Sequence, residues 1–343
     1  MKIELNTEIE QFFNRCMNHL MNESKNEFLG MTVIKENQFK LQQKMRKAGF
    51  QEFQGTPDTW PSLFISTEDY LKSPYNANIN LDKIEDEEFS FSKEIMNSNE
   101  LFNVSSIHPD ENRELNEWMT LRALDQPYEA VFLWQGNDIW MLDSPSEANT
   151  NDPYAKKAHG HVVTFGLGIG YFVYMAMRNP MVESITVIER SASVISMFNK
   201  FILPQFPKHI PLTILKGDAF DYFNNSFINQ FDYAYVDIWQ SNDDGFAIIE
   251  KLLEQYLPKY DEVDFWIESS CFESLPALIF LYFNSIAHKR QARHESPEYD
   301  HLLKKIAHYF SAIDQTVSDV NELKNYMYDQ ETLRKIVAIR LTL

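Results

Sequence analysis

Three glycines followed by three carboxylates carry the chemistry legible in this chain. Gly166, Gly168 and Gly170 close the apolar run that begins at His161. A glycine there lets the backbone turn sharply and lets a ligand come close to it. Glu189 closes the run from Ser184, Asp218 the run from Leu212, and Asp237 the run from Phe231. Four short apolar runs, the early ones separated by segments of helical length, predict a parallel sheet with helices on its faces. Ligands of such sheets bind beyond the carboxyl ends of the strands. Glu189 is then placed for a ribose diol, Asp218 for an adenine amino group, and Asp237 for the reactive end of the ligand. Leu167, Arg190 and Ala219 share the same turns. The outline is that of a nucleoside-bearing ligand.

A dinucleotide fingerprint requires G-x-G-x-x-G. Here the third glycine comes one residue early and Tyr171 takes its place, which argues against a nicotinamide oxidoreductase. The spacing G-x-G-x-G with Glu189, Asp218 and Asp237 resembles the class I S-adenosylmethionine-dependent methyltransferases. Within them it looks most like the spermidine-synthase-like branch. The run Ile139-Trp-Met-Leu-Asp-Ser-Pro-Ser-Glu147 just before the glycines is similar to a strand and loop of that branch. The resemblance spans residues 128–270.

The resemblance implies a Rossmann-like, doubly wound, mostly parallel sheet with S-adenosyl-L-methionine as cofactor. It assigns cofactor contacts to Gly166, Leu167, Gly168, Gly170, Glu189, Arg190, Asp218 and Ala219. Asp143 and Glu147 would serve the amino-acid end, and Asp237 would orient or deprotonate the acceptor. Trp239 and Gln240 would seat that acceptor, a small molecule or a protein. Two positions depart from the pattern. Thr164 stands where an acid usually precedes the glycines, and no proline follows Asp237 in Asp237-Ile-Trp-Gln-Ser-Asn-Asp-Asp244. The second departure argues against aminopropyl transfer from decarboxylated S-adenosylmethionine, the main alternative. A non-catalytic nucleoside-binding or interaction module is the other, and Thr164 favours it.

The elements that must hold these residues follow from periodicity. Residues 1–125 read as a mostly helical N-terminal region. Ile9, Phe12, Phe13, Met17 and Leu20 recur at helical spacing, and a second helix is expected from Lys35 to Ala48. Between them and the core, Pro57, Pro61 and Pro74 punctuate the chain, and Asp82 to Glu88 is an acidic run of solvated character. A further helix is expected from Pro109 to Leu124. Residues 126–150 read as a β-hairpin, with a turn at Gln135-Gly136-Asn137, and a loop from Asp143 to Glu147. Residues 151–343 form the cofactor domain with a helix-rich C-terminal extension. In it, residues 201–207 are a connector, residues 240–244 a polar loop, Glu268 to Cys271 faces the active edge, and residues 336–342 are a terminal strand.

Composition sets the outer bounds. The 343 residues are 44% hydrophobic, enough for a packed core, and the formal net charge is -19. Such acidity disfavours nucleic acid and anionic lipid as partners. Cys16 and Cys271 are too far apart in sequence for a ligand motif, and a reduced, cytoplasmic home is expected. No apolar run approaches the ~20 residues of a membrane span. His159 and His161 lack ordered carboxylate partners, so no metal site is expected. A homodimer is compatible with the sequence.

Overall fold

Val162, Val163, Phe165, Val187, Ile188, Tyr235 and Val236 are β-branched, aliphatic or aromatic residues in short runs. In the computed structural model they are buried in the strands of one parallel sheet. The structure describes residues 1–21, 27–50, 52, 60–84, 89–110, 113–135 and 138–341. The expected Gly136–Asn137 turn, Pro57, residues 85–88 of the acidic run and Thr342 lie outside them.

The N-terminal region contributes helices α1 (Thr7–Met21) and α2 (Gln38–Lys47). It also contributes an antiparallel sheet of β1 (Phe89–Met96), β2 (Tyr128–Gln135) and β3 (Asp138–Leu142), in that order. The β2–β3 pair is the expected hairpin, and β1 extends it. Helix α3 (Pro145–Lys157) leads into the core. The core strands are β4 (Gly160–Phe165), β5 (Val182–Glu189), β6 (Leu212–Lys216), β7 (Tyr233–Val236) and β8 (Val263–Phe265). Between them run α4 (Tyr171–Met177), α5 (Ala192–Met197) and α6 (Asn242–Gln255). The spatial order is β6-β5-β4-β7-β8, with every pairing parallel. The core is Rossmann-like. The chain winds outward from β4 to β6, then returns to lay β7 beside β4, so the strand order reverses between β4 and β7. Helices α7 (Leu275–Ala287), α8 (Pro297–Ser311), α9 (Val320–Tyr328) and α10 (Gln330–Val337) complete the C-terminal extension. Among the described residues no helix is long and apolar enough to cross a membrane.

Several local expectations are corrected. Residues 109–124 are not a helix. His108–Pro109 pairs with Glu117–Trp118, and Leu121–Leu124 pairs with Phe102–Asn103 and Phe64–Ile65. Leu115 adopts φ 57°, which no α-helix tolerates, and strand partners remote in sequence override the helical spacing. The loop expected at 143–147 is largely the first turn of α3, which runs on to Lys157. Its Asn, Thr and Pro153 content hid it, but Ser144 caps it by accepting from the Glu147 N–H at 3.3 Å, and Ala148, Asn151 and Ala155 are buried. Residues 198–205 wind into a π turn and a 3-10 turn rather than an open connector. The polar loop after Asp237 is already helix from Asn242, with Ser241 and Asp244 as a capping box. Ile336 and Val337 belong to α10, where they continue the buried face begun by Leu333, and no terminal strand forms among the described residues.

One buried ion pair fastens the C-terminal extension to the core. Arg334 of α10 is 1% exposed and donates to both Glu268 oxygens, at 2.6 and 2.8 Å, and to the Tyr260 carbonyl at 3.1 Å. Its guanidinium also lies over the rings of Tyr260 and Phe265. Glu268 is thereby turned into the interior, away from the active edge where the sequence placed it. Removing one member strands the other charge in a dry site. Arg334→Ala should lower unfolding free energy by about 3–5 kcal/mol, measured by denaturant unfolding. Arg334→Met combined with Glu268→Gln should restore much of that loss.

Candidate functional site

A cleft of about 1230 Å³ opens past the carboxyl ends of the strands, where the strand order reverses. Gly166, Leu167, Gly168, Glu189, Arg190, Asp218, Ala219, Asp237, Trp239, Gln240, Asp143 and Glu147 all line it. Of the expected site residues, only Gly170 falls outside this lining. Its φ is 74°, and a Cβ there would meet the rings of Phe198 and Phe206. Gly170 therefore serves core packing and the entry into α4.

The other two glycines also answer to the protein itself. Gly166 has φ 96°, and a Cβ on it would lie 1.9 Å from the Asp237 carbonyl oxygen. Gly168 has φ 55°, and a Cβ there would lie 2.6 Å from the Met141 sulfur. Both positions require the left-handed conformation and both require space. The space at Gly166 is taken by the neighbouring strand's backbone, not by a ligand.

The carboxylates divide into committed and available groups. Glu189 accepts from the Leu167 N–H at 3.1 Å and from the Ser191 N–H at 2.7 Å. It ties the glycine loop to the end of β5, and burial nevertheless raises its pKa. Asp218 accepts from the Phe220 N–H at 3.0 Å and caps the helical turn that follows. That bond engages Oδ1, and among the described residues none donates to Oδ2. Asp143 is a structural group: it accepts from the Tyr70 hydroxyl at 2.8 Å and from the Tyr128 hydroxyl, one on each oxygen. Both of its oxygens are thus engaged by phenols at the cleft wall. Glu147 and Asp237 differ. Among the described residues none donates a hydrogen bond to either side chain. Burial pushes Glu147 up to about 7. Burial also raises Asp237 well above the usual carboxylate range, and the Glu147 charge adds to it.

Aromatic rings form the floor. Phe172 stacks on Tyr235 at 4.2 Å, and the Tyr235 hydroxyl donates to Asn151 at 2.9 Å. Trp266 donates to Thr150 at 3.0 Å. Trp239 is 6% exposed and walls the Asp237 side, whereas Gln240 is exposed, its N–H bonded to Asp244. Thr164 is buried beneath the glycine loop. Tyr171 turns its hydroxyl to Asp152 at 2.9 Å. Lining residues without a signal in the sequence are Tyr70, Met141, Lys251 and Arg340. Lys251 could have been found as the residue seven after Asp244 on one helical face; Tyr70 comes from the N-terminal region and Met141 from the hairpin.

Other candidate groups are inert. Burial drives the thiols of Cys16 and Cys271 up to about 12, so neither is a nucleophile at neutral pH. His159 and His161 are exposed, and His161 bonds to Ser184. Glu250, Glu254 and His301 lie close enough to suggest a metal, but the buried Lys305 ammonium already bridges the two carboxylates, 2.7 Å from Glu250.

No family model matches the chain, and no curated protein matches it. Two solved structures share part of the fold. One is the shikimate dehydrogenase of Mycobacterium tuberculosis, at 12% identity over 37% of this chain and 55% of that one, with a TM-score of 0.23. The other is SMU.776, a candidate methyltransferase complexed with SAH, at 17% identity over 39% of this chain and 37% of that one, with a TM-score of 0.25. The chain thus matches little more than half of the first and about a third of the second. Likenesses this partial carry no argument about activity, and the spermidine-synthase-like branch gains nothing from them.

Two outcomes follow from the geometry. Gly166→Ala forces both an unfavourable φ and a backbone clash, and should cost at least about 1–3 kcal/mol in unfolding free energy. Glu147 gives a pH signature. Its folded pKa lies above its unfolded value, so the folded state holds the proton longer. Stability is therefore lost as pH rises from 4.5 to about 7, by up to about 3 kcal/mol from this group. Glu147→Gln should flatten that fall in denaturation measured across the same range.

Proposed function

We propose that this chain is an S-adenosylmethionine-dependent transferase, and that it moves a methyl group to an amine or hydroxyl acceptor. The observation that carries the reading is convergence. The glycine loop, Glu189, Asp218 and Asp237 come from four strand ends and line one cleft large enough for a nucleoside and an acceptor together. The ligand would lie across the strand ends, with its ribose at Glu189 and its base beside Asp218, Ala219 and Ile248. When bound, the sulfonium supplies an already electrophilic methyl group.

The protein's own contribution is position and proton handling. Aligning acceptor and donor can remove roughly 7–11 kcal/mol of barrier. Asp237 is fixed by the contact of its backbone with Gly166, and its desolvated carboxylate is a stronger base than an exposed one. It would hold the acceptor's N–H or O–H and take its proton as the new bond forms. Glu147 keeps a second carboxyl nearby that is close to half protonated at neutral pH, so the pair carries less than two full charges. The aromatic floor and Trp239 exclude water from the line of transfer.

Aminopropyl transfer remains the second reading; it is favoured by the two carboxylates without described partners, which suit a cationic amine. Calorimetry with S-adenosylmethionine and its decarboxylated form separates the two. The methyl reading expects binding of the carboxylated form and its loss in Gly168→Arg. The absence of heat with native protein up to millimolar ligand would rule it out. Asp237→Asn should keep ligand affinity within about two-fold while lowering turnover by about 10²–10⁴.

A further inference from the structure

We propose that Met141 governs entry of the ligand's amino-acid end into the glycine loop, and so discriminates between ligands with and without that end. The proposal rests on the adenosyl-sulfonium reading of the cleft. It begins with an irregularity in the hairpin. Leu133 pairs with Met141 and Trp134 pairs with Ile139, which leaves Trp140 as an extra residue in β3. Such bulges bend a strand and re-aim the neighbouring side chain. Here the side chain after the bulge is Met141, and it reaches over the glycine loop.

Its seat there is specific. The Met141 sulfur accepts from the Ile169 N–H at 3.0 Å, and it lies against Gly168 so closely that a Cβ would come within 2.6 Å. Of the other loop amides, Leu167 donates to Glu189 and Gly170 to the Leu167 carbonyl at 2.8 Å, both stronger oxygen acceptors, and no acceptor is described for Gly168. A thioether is a weak acceptor on a flexible, unbranched side chain. Among the loop amides with a described acceptor, Ile169 therefore holds the most replaceable one. A ligand oxygen arriving above Gly168 makes the better bond and takes both the amide and the space, and Met141 withdraws toward β3. Because β3 belongs to the N-terminal sheet, occupancy of the loop is felt by that sheet. A nucleoside that stops at its sulfur never reaches Met141.

The test compares S-adenosylhomocysteine with 5′-methylthioadenosine, which lacks the amino-acid end. Affinities of both are measured by calorimetry for the native chain, Met141→Ala and Met141→Leu, with thermal unfolding as the check on folding. Met141→Ala should bind S-adenosylhomocysteine about five-fold more tightly, the factor one modest hydrogen bond carries. Methylthioadenosine should stay within two-fold. Met141→Leu keeps the bulk and loses the acceptor, so it should shift in the same direction by less. Equal shifts for the two ligands, or weaker S-adenosylhomocysteine binding in both variants, overturn the role of Met141 and leave the transferase reading standing. A native chain that binds neither ligand overturns both.

Discussion

The cleft depends on one close approach of backbone to backbone. At the reversal of strand order, the turn after β4 and the end of β7 come so near that Gly166 can carry no side chain against the Asp237 carbonyl. The Asp237 N–H bonds to the Phe165 carbonyl at 2.9 Å, and the Gly166 N–H bonds to Ile188 at 2.9 Å. Three strand ends are thus stitched within a few residues. The glycine loop on one side and the Asp237 carboxylate on the other inherit their positions from that stitch. Neither could shift without opening the sheet at its centre.

Charge is distributed around this point with a division of labour. Glu189, Asp218 and Asp143 face the cleft; Glu189 and Asp143 spend both oxygens on the protein, holding the loop or receiving two phenols, and Asp218 spends one on capping a turn. Glu147 and Asp237 lie on the cleft surface among aromatic rings and have no described donor. Burial raises the affinity of both for protons. A sheet that needed only stability would pair or delete them.

Four of the five core strands were legible because each is a short apolar run closed by a glycine or an acid. Glu189, Asp218 and Asp237 fell at strand ends for that reason. What their side chains hold was not legible. Asp143 is engaged by Tyr70, which is 73 residues away, and local sequence keeps no record of such a partner. Residues 109–124 misled because Leu115, Trp118 and Leu121 satisfy helical spacing, while Leu115 lies in a turn and Trp118 and Leu121 belong to separate short strands. Helix α3 was hidden by polar residues and Pro153, and tertiary burial outweighed their poor propensity. The glycines were found for a sound reason that was only half the cause: they make room for the protein at least as much as for a ligand.

The Arg334–Glu268 pair has a consequence for how the chain is made. Glu268 follows the last strand of the sheet, but its counter-ion is 66 residues downstream. During synthesis at roughly 5–20 residues per second, the sheet can assemble while Glu268 still lacks its cation. Closure of the domain must wait several seconds for α10 to clear the ribosome. Until then the strands can be in place while the Glu268 carboxylate still lacks its counter-ion.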